Sequence, residues 1–197
     1  MRQTAGGQLL AQLFANNFDI LVHILFLYRR MITKINITEM GRIDLGEITK
    51  HNIRLVRRLN HSIFPVSYND RFYKDVLEAG DLAKLALFND IAVGTVCCRI
   101  ELADNEKRLY IMTLGCLFTY RRLGIGSTML KHVLECATKK GVDNIYLHVQ
   151  INNTEAIEFY KKFGFEIVDT KEDYYKRIEP STALVLRKQM HHQQNSN

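Results

Sequence analysis

Hydrophobic positions along this chain change period several times, and each change marks an element. Ile43 and Leu45 alternate with polar neighbours and predict a short strand. After Thr49 the apolar residues move to Ile53, Val56, Leu59 and Ile63, spacings of three and four that predict a helix with one buried face. Pro65 breaks it, and a second helix is expected over Asp70 to Glu78, closed by Gly80. Leu82 to Phe88 and Ile91 to Leu102 read as two strands joined by a tight hairpin at Asn89-Asp90. Asp104-Asn105-Glu106 marks the next turn, and Lys107 to Leu117 the next strand. A helix follows with Met129, Leu130, Val133, Leu134 and Ala137 turned inward, ending at Gly141. Asn144 to Val149 is a buried strand, and Asn153 caps a helix over Thr154 to Phe163 that Gly164 terminates. Phe165 to Val168 and Ala183 to Lys188 complete the strands. From Arg42 onward the pattern is that of one α/β domain without internal repeats.

The two ends differ from this domain. Phe18 to Tyr28 is apolar but interrupted by Asp19 and His23, and it is shorter than the roughly 20 residues a membrane span needs. The basic pair Arg29-Arg30 follows it rather than precedes it, and no small-residue cleavage site is evident, so it does not read as a secretory signal. The first fifteen residues lack acids, a weak presequence feature. The reading adopted is an N-terminal extension over 1–38, poorly ordered or without function, with Met40 as the working start of a domain spanning 39–190. The tail 191–197 is polar and expected to be disordered, its His191-His192 pair solvated rather than metal-binding.

A hydrophobic fraction of 47% and a charged fraction of 24% allow a substantial core. The net charge of +6 favours anionic partners, such as cofactor phosphates or a ribosome or nucleic-acid surface, and the preferred reading is simply a mildly basic soluble enzyme. No basic stripe interleaved with aromatics supports direct nucleic-acid reading. Cys97, Cys98, Cys116 and Cys136 form no C-x-x-C pair and lie in apolar runs, so they read as reduced core thiols, not as disulfides or metal ligands. The sequons at Asn36, Asn60 and Asn152 are therefore expected to be unused.

Candidate chemistry begins at Tyr120-Arg121-Arg122-Leu123-Gly124-Ile125-Gly126, between a strand and a helix. Two glycines permit a tight turn at the helix head, where free N–H groups and the helix dipole suit an anion such as a pyrophosphate. Arg121 adds a charge-assisted contact. Ser127-Thr128 lacks the preceding Lys of a Walker loop, and there is no third glycine for a dinucleotide fingerprint. Alone, the loop fits a tight βα turn equally well. A second signature stands downstream: Asn153 at a helix start, then Ala156, Phe159-Tyr160 and Phe163-Gly164-Phe165.

The two motifs, in this order with a strand between them, resemble the GCN5-related N-acetyltransferases. That resemblance implies the GNAT α/β fold: a mixed, mostly antiparallel central sheet flanked by helices, with splayed fourth and fifth strands. It implies acetyl-CoA as co-substrate and no metal. The pyrophosphate would lie on Arg121, Arg122, Leu123, Gly124, Ile125, Gly126 and Ser127. Met112 and Leu114 would pair with the pantetheine through their main chains, and Asn153, Tyr160 and Lys162 would complete the cofactor site. Tyr160 would protonate the leaving thiolate.

A closer likeness covers about Arg42 to Pro180. Phe64-Pro65-Val66-Ser67-Tyr68, Arg108 to Gly115, Tyr146-Leu147-His148-Val149 and Tyr174 to Pro180 are similar to the catalytic subunits of NatE-type (San-type) N-terminal acetyltransferases. By that resemblance Tyr110 and His148 are the catalytic pair, removing a proton through an ordered water. His148 is the better base, because its pKa lies near neutrality. The acceptor would be held by Phe64, Pro65, Val66, Tyr68, Met112, Tyr174, Tyr175, Lys176, Arg177 and Ile178. These suit a free chain terminus starting with Met followed by a hydrophobic or small residue. An α-amine, with a pKa of about 7.7–8.0, demands much less of a base than a lysine amine near ~10.4. The expected partners are nascent or mature protein N-termini, the NatA auxiliary and catalytic subunits, and through them the ribosome, with neither membrane nor direct nucleic-acid binding. A role in sister-chromatid cohesion and a cytoplasmic place, extending to the nucleus, are implied as well. The rival readings are an internal-lysine acetyltransferase and a non-catalytic subunit that binds acetyl-CoA within the NatA complex.

Overall fold

The computed structural model describes residues 41–190, so the expectations for 1–38 and 191–197 fall outside the described residues. The strands are β1 (Ile43–Glu47), β2 (Ala83–Phe88), β3 (Ile91–Ala103), β4 (Glu106–Cys116), β5 (Asn144–Gln150), β6 (Glu166–Lys171) and β7 (Ala183–Gln189). The helices are α1 (Ile53–Ile63), α2 (Asp70–Glu78), α3 (Ile125–Lys139) and α4 (Thr154–Lys162). The strands form one sheet in the order β1-β2-β3-β4-β5-β7-β6. Among the described residues only β4 and β5 run parallel; every other neighbouring pair is antiparallel. This is the mixed, mostly antiparallel sheet expected.

Both hairpin turns are two residues long. Asn89 and Asp90 have φ of 48° and 65°, and Asp104 and Asn105 have 55° and 61°. Two successive positive φ values match the right-handed twist of the flanking strands, and Asn and Asp tolerate them. Glu106 therefore already belongs to β4, one residue earlier than its polarity suggests. The larger difference is β6. It runs through Asp169, Thr170 and Lys171 rather than ending at Val168, and Phe165 precedes it as a core residue only 2% exposed. All of β6 is exposed at the sheet edge, so its pattern carries no burial signal.

The sheet buries both faces. Val96 and Cys98 pack in the main cluster with Met129, Leu130 and Val133 of α3, whereas Cys97 between them packs with Val76 of α2. Alternation of side chains along a strand thus assigns α3 to one face and α2 to the other. Val56 and Leu59 of α1 join Leu85 on that second face. Each such side chain taken fully from water contributes roughly 1.5–3 kcal/mol. Asn60 is wholly buried and accepts a hydrogen bond from the Thr95 hydroxyl at 2.6 Å, which closes that sequon to glycosylation in the folded domain. None of the four cysteines is paired; Cys97, Cys98 and Cys136 are buried and Cys116 half-buried.

One irregularity sets up the site. β4 pairs with β5 only over Arg108–Tyr110 and Asn144–Tyr146. On its other side the register with β3 steps from Cys98↔Ile111 to Cys97↔Thr113, leaving Met112 as an extra residue. Such a bulge bends and twists its strand. β4 leaves β5 just before the bulge, and the cleft of the splayed strands opens there.

Candidate active site

Within the cleft, beyond Tyr110, the backbone of β4 has no strand partner on the β5 side among the described residues. Leu117 donates its N–H to Val93 on β3 at 2.8 Å. By strand alternation Leu114 then turns its own N–H and C=O away from β3, toward the opening. Met112, at the bulge, stands one step deeper. Where β4 ends, Phe118–Tyr120 form a single 3-10 turn, and Arg121 donates its N–H to Phe118 at 3.1 Å. Gly124, at φ 90°, is the left-handed cap of α3 and offers no side chain to the helix end. Among the described residues no backbone hydrogen bond takes up the N–H of Leu123, Gly124, Ile125, Gly126 or Ser127. The first turn of α3 holds no acid. Free donors and an unopposed dipole fit a phosphate-bearing co-substrate.

The side chains around this loop partly differ from expectation. The Arg121 and Arg122 guanidinium groups lie 3.7 and 3.0 Å from Glu155 in the first turn of α4, a partner not anticipated. They bridge the loop to α4 rather than standing free. The Ile125 side chain is core, so only its main chain is available. Asn153 uses its Oδ1 to cap α4, accepting from Ala156 N–H at 3.2 Å. Lys162 is exposed on the last turn of α4. Tyr160 is 6% exposed, with its ring edge-on to Phe159 and Phe165. Burial pushes its phenol pKa well above the usual value, so it remains a donor.

Tyr110 and His148 do come together. Tyr110 follows Leu109 and precedes Ile111, both packed under α3, so its side chain lies on the opposite face. The His148 ring stands edge-on to Tyr110 at 5.6 Å and stacks on Tyr174 at 4.3 Å, nearly parallel at 8°. The Tyr110 and Tyr174 hydroxyls are 3.2 Å apart. The His148 Nδ1 is buried and has no hydrogen-bond partner among the described residues, leaving a lone pair or a proton to be used. Burial, followed by the Lys171 charge, lowers the imidazole pKa, against Glu101 and Asp169, which raise it. The imidazole is therefore neutral, a competent base, at neutral pH. Burial and then Tyr174 raise the Tyr110 phenol, so it holds its proton.

The acceptor segments flank this pair. Phe64 caps the C-terminus of α1 and meets Tyr68 edge-on at 6.1 Å, and Tyr68 stacks on Phe72 at 4.4 Å. Pro65 is exposed and Val66 half-buried. Between β6 and β7, Tyr175 sits edge-on to Tyr174 at 4.9 Å and donates its N–H to Ser181 at 2.9 Å. Ile178 is half-buried, while Lys176 and Arg177 are exposed. The bulge also serves this end. Leu114 packs in the α3 cluster, so Gly115 faces the other way, beneath Ile63 and Phe64. In a strand that alternated regularly, Tyr110 and Gly115, five apart, would face opposite sides; the bulge at Met112 absorbs one residue and brings both to one face. Tyr146, stacked on Tyr110 at 4.8 Å, and Arg99, 5.1 Å from the Tyr110 ring, also belong to the site. Tyr146 stands in the motif around His148 but has no role assigned from sequence, and Arg99 shows only period-two alternation, which needs the register to become a neighbourhood.

Comparison with known proteins identifies the family and the fold. The model of the acetyltransferase (GNAT) family matches residues 53–165. The N-alpha-acetyltransferase 50 of Danio rerio is 68% identical over 151 residues, 76% of this chain and 90% of that protein. The probable N-acetyltransferase san of Drosophila melanogaster is 67% identical over 147 residues, 74% of this chain and 80% of the other. Among solved structures, Arabidopsis thaliana Naa50 in complex with the bisubstrate analogue CoA-Ac-MVNAL superposes with a TM-score of 0.72 at 48% identity, covering 75% of this chain and 99% of that one. By the family match, the high identity to these relatives and the cleft opened between β4 and β5, the chain belongs to the acetyltransferase (GNAT) family.

Proposed function

We propose that this protein is an N-terminal acetyltransferase that moves acetyl from acetyl-CoA to the α-amine of chains starting with Met followed by a hydrophobic or small residue. The observation that carries it is the Tyr110–His148–Tyr174 cluster, a neutral imidazole stacked on Tyr174 beside the Tyr110 phenol, at the point where β4 and β5 part. The co-substrate pyrophosphate rests on the free N–H groups of Leu123 to Ser127, and its pantetheine on the main chain at Met112 and Leu114. His148 takes the α-ammonium proton through a water that Tyr110 positions. The neutral amine attacks the thioester carbonyl, the new C–N bond forms and the C–S bond breaks. Tyr160, kept protonated by its raised pKa, delivers a proton to the departing sulfur and regains one, by way of water, from the nitrogen of the new amide. No covalent enzyme intermediate is needed, and the buried thiols of Cys97 and Cys98, with pKa values raised by desolvation, are not nucleophiles.

Phe64, Pro65, Val66, Tyr68, Tyr175 and Ile178 form the apolar reception for the Met side chain, and the main chain of Tyr174 to Arg177 holds the peptide. Support for a peptide acceptor comes from the Arabidopsis relative, whose bisubstrate analogue carries the peptide MVNAL. The reading extends to the NatA subunits and the ribosome as partners, to a role in sister-chromatid cohesion, and to the cytoplasm and nucleus as compartments. Co-purification from cells tests the partners.

Steady-state acetylation of two peptides by the purified protein tests the chemistry. One begins with free Met-Leu; its twin has a blocked N-terminus and one internal lysine. Turnover of the first alone is expected. Turnover of the second overturns the α-amine reading in favour of lysine, and turnover of neither, with acetyl-CoA still bound, reduces the chain to a binding subunit.

A further inference from the structure

A carboxylate outside the expected site ties together the groups that pack on Tyr110. Arg99, Tyr110 and Tyr146 occupy one cross-strand row: Arg99 is registered opposite Tyr110, and Tyr110 opposite Tyr146. Glu101, two residues on from Arg99 and on the same face, reaches both ends of that row. Its Oε2 accepts the Tyr146 hydroxyl, and its Oε1 lies 2.6 Å from Arg99. The Arg99 guanidinium carbon is 5.1 Å from the centre of the Tyr110 ring, and the Tyr146 ring stacks on Tyr110 at 4.8 Å. Tyr110 in turn meets Tyr174, on which His148 is stacked. One carboxylate thus holds two of the groups that hold the catalytic phenol.

We propose that Glu101 is a positioning residue for acetyl transfer, fixing Tyr110 through Tyr146 and Arg99 and supplying a negative charge to the face that carries His148. This inference rests on the reading of Tyr110 and His148 as the catalytic pair. Nothing but Glu101 binds the Tyr146 hydroxyl among the described residues, and the hydroxyl pKa rises to about 12, by burial first and then by the Glu101 bond. Arg99 and the Tyr146 hydroxyl lower the Glu101 pKa against its desolvation, so it is charged throughout the working range. The groups facing His148 are Lys171 and Asp169 of β6, Glu101 of β3, Tyr110 of β4, and Tyr146 and Tyr174. Lys171 is itself paired with Asp169 at 2.6 Å, so Glu101 is the acid not neutralised from within β6. Its own pairing with Arg99 weakens its charge without removing it.

The test is Glu101→Gln, with Glu101→Asp and Tyr146→Phe beside it, measured on the full chain with acetyl-CoA and a Met-Leu peptide. Glu101→Gln is expected to lower kcat roughly 10- to 100-fold, the scale of a small misplacement of a reacting group, with acetyl-CoA binding retained. The acid limb of its kcat–pH profile moves to lower pH, because His148 loses a charge that favours protonation. Glu101→Asp restores part of the rate and returns the limb. Tyr146→Phe keeps the ring and the carboxylate; kcat falls but the limb stays. Wild-type kcat in both Glu101→Gln and Tyr146→Phe overturns the inference. So does a uniform loss at every pH that follows thermal destabilisation and is not restored by Asp. Should Glu101→Gln fail to bind acetyl-CoA, Tyr146→Phe decides alone, since it removes one oxygen and no charge. If His148→Ala turns over normally, the underlying catalytic reading fails instead.

Discussion

Gly115→Ala tests whether the acceptor loop is set by contact with β4. An ideal Cβ at this position lies 2.7 Å from Ile63 Cγ2, and 3.1 and 3.2 Å from Cζ and Cε1 of Phe64. Carbon atoms rest at about 3.5–4.0 Å, so the Ile63 methyl must retreat by about 0.8 Å and the Phe64 ring by several tenths. The sheet side cannot yield easily, because a Cβ on neighbouring Gly94 would itself meet the Gly115 carbonyl at 2.7 Å. The movement therefore falls on the end of α1 and on Phe64, which leaves the helix in an extended conformation. Overpacking of this kind costs about 1–3 kcal/mol. At roughly 2–4 °C per kcal/mol for a domain of this size, the melting temperature falls by about 2–12 °C. A displaced Phe64 raises KM for a Met-Leu peptide about tenfold, whereas acetyl-CoA binding at the loop before α3 is unchanged. Thermal denaturation, peptide kinetics and direct titration with acetyl-CoA read the three quantities. Unchanged melting and unchanged peptide KM together refute the reasoning, and a loss of acetyl-CoA binding relocates the strain to the wrong end of β4.

His148→Ala is expected to keep acetyl-CoA binding and lower kcat by about 10²–10⁴-fold, the usual contribution of a general base; near-normal turnover removes His148 from the mechanism. Because burial lowers the imidazole pKa, the base form persists to lower pH, and the acid limb of kcat in the wild type lies below the ordinary imidazole value of about 6.5. A limb above that value contradicts the assignment. Thr95→Val removes the hydroxyl that donates to buried Asn60 and is expected to cost about 1–3 kcal/mol by denaturant unfolding, with kcat little changed. Removal of residues 1–38 is expected to leave activity unchanged; a drop in folding yield or turnover shows that the extension belongs to the working enzyme.

Periodicity alone determined most of the elements here. The order of strands and helices, both hairpin turns, the caps at Asn153 and Gly124 and the inward faces of α1 and α3 are local properties, set by side-chain spacing and by which residues tolerate positive φ. The edge strand β6 was misread for a related reason: exposed on every residue, it has no apolar period to display. The cofactor loop and the pair Tyr110 and His148 were legible through motif likeness, not through chemistry written in their neighbours. Only the tertiary structure decided what surrounds them. The extra residue at Met112 is invisible in the sequence, because a bulge exists only relative to a partner strand. Yet it opens the cleft and brings Tyr110 and Gly115 to one face. Glu101, Arg99 and Tyr146 are each an ordinary strand residue until β3, β4 and β5 lie side by side, when register turns three distant positions into one support for Tyr110. Likewise Arg121 and Arg122 meet Glu155 only because α4 folds back beside the loop. Spacing along a chain constrains which face a residue takes, and only packing determines what it meets there.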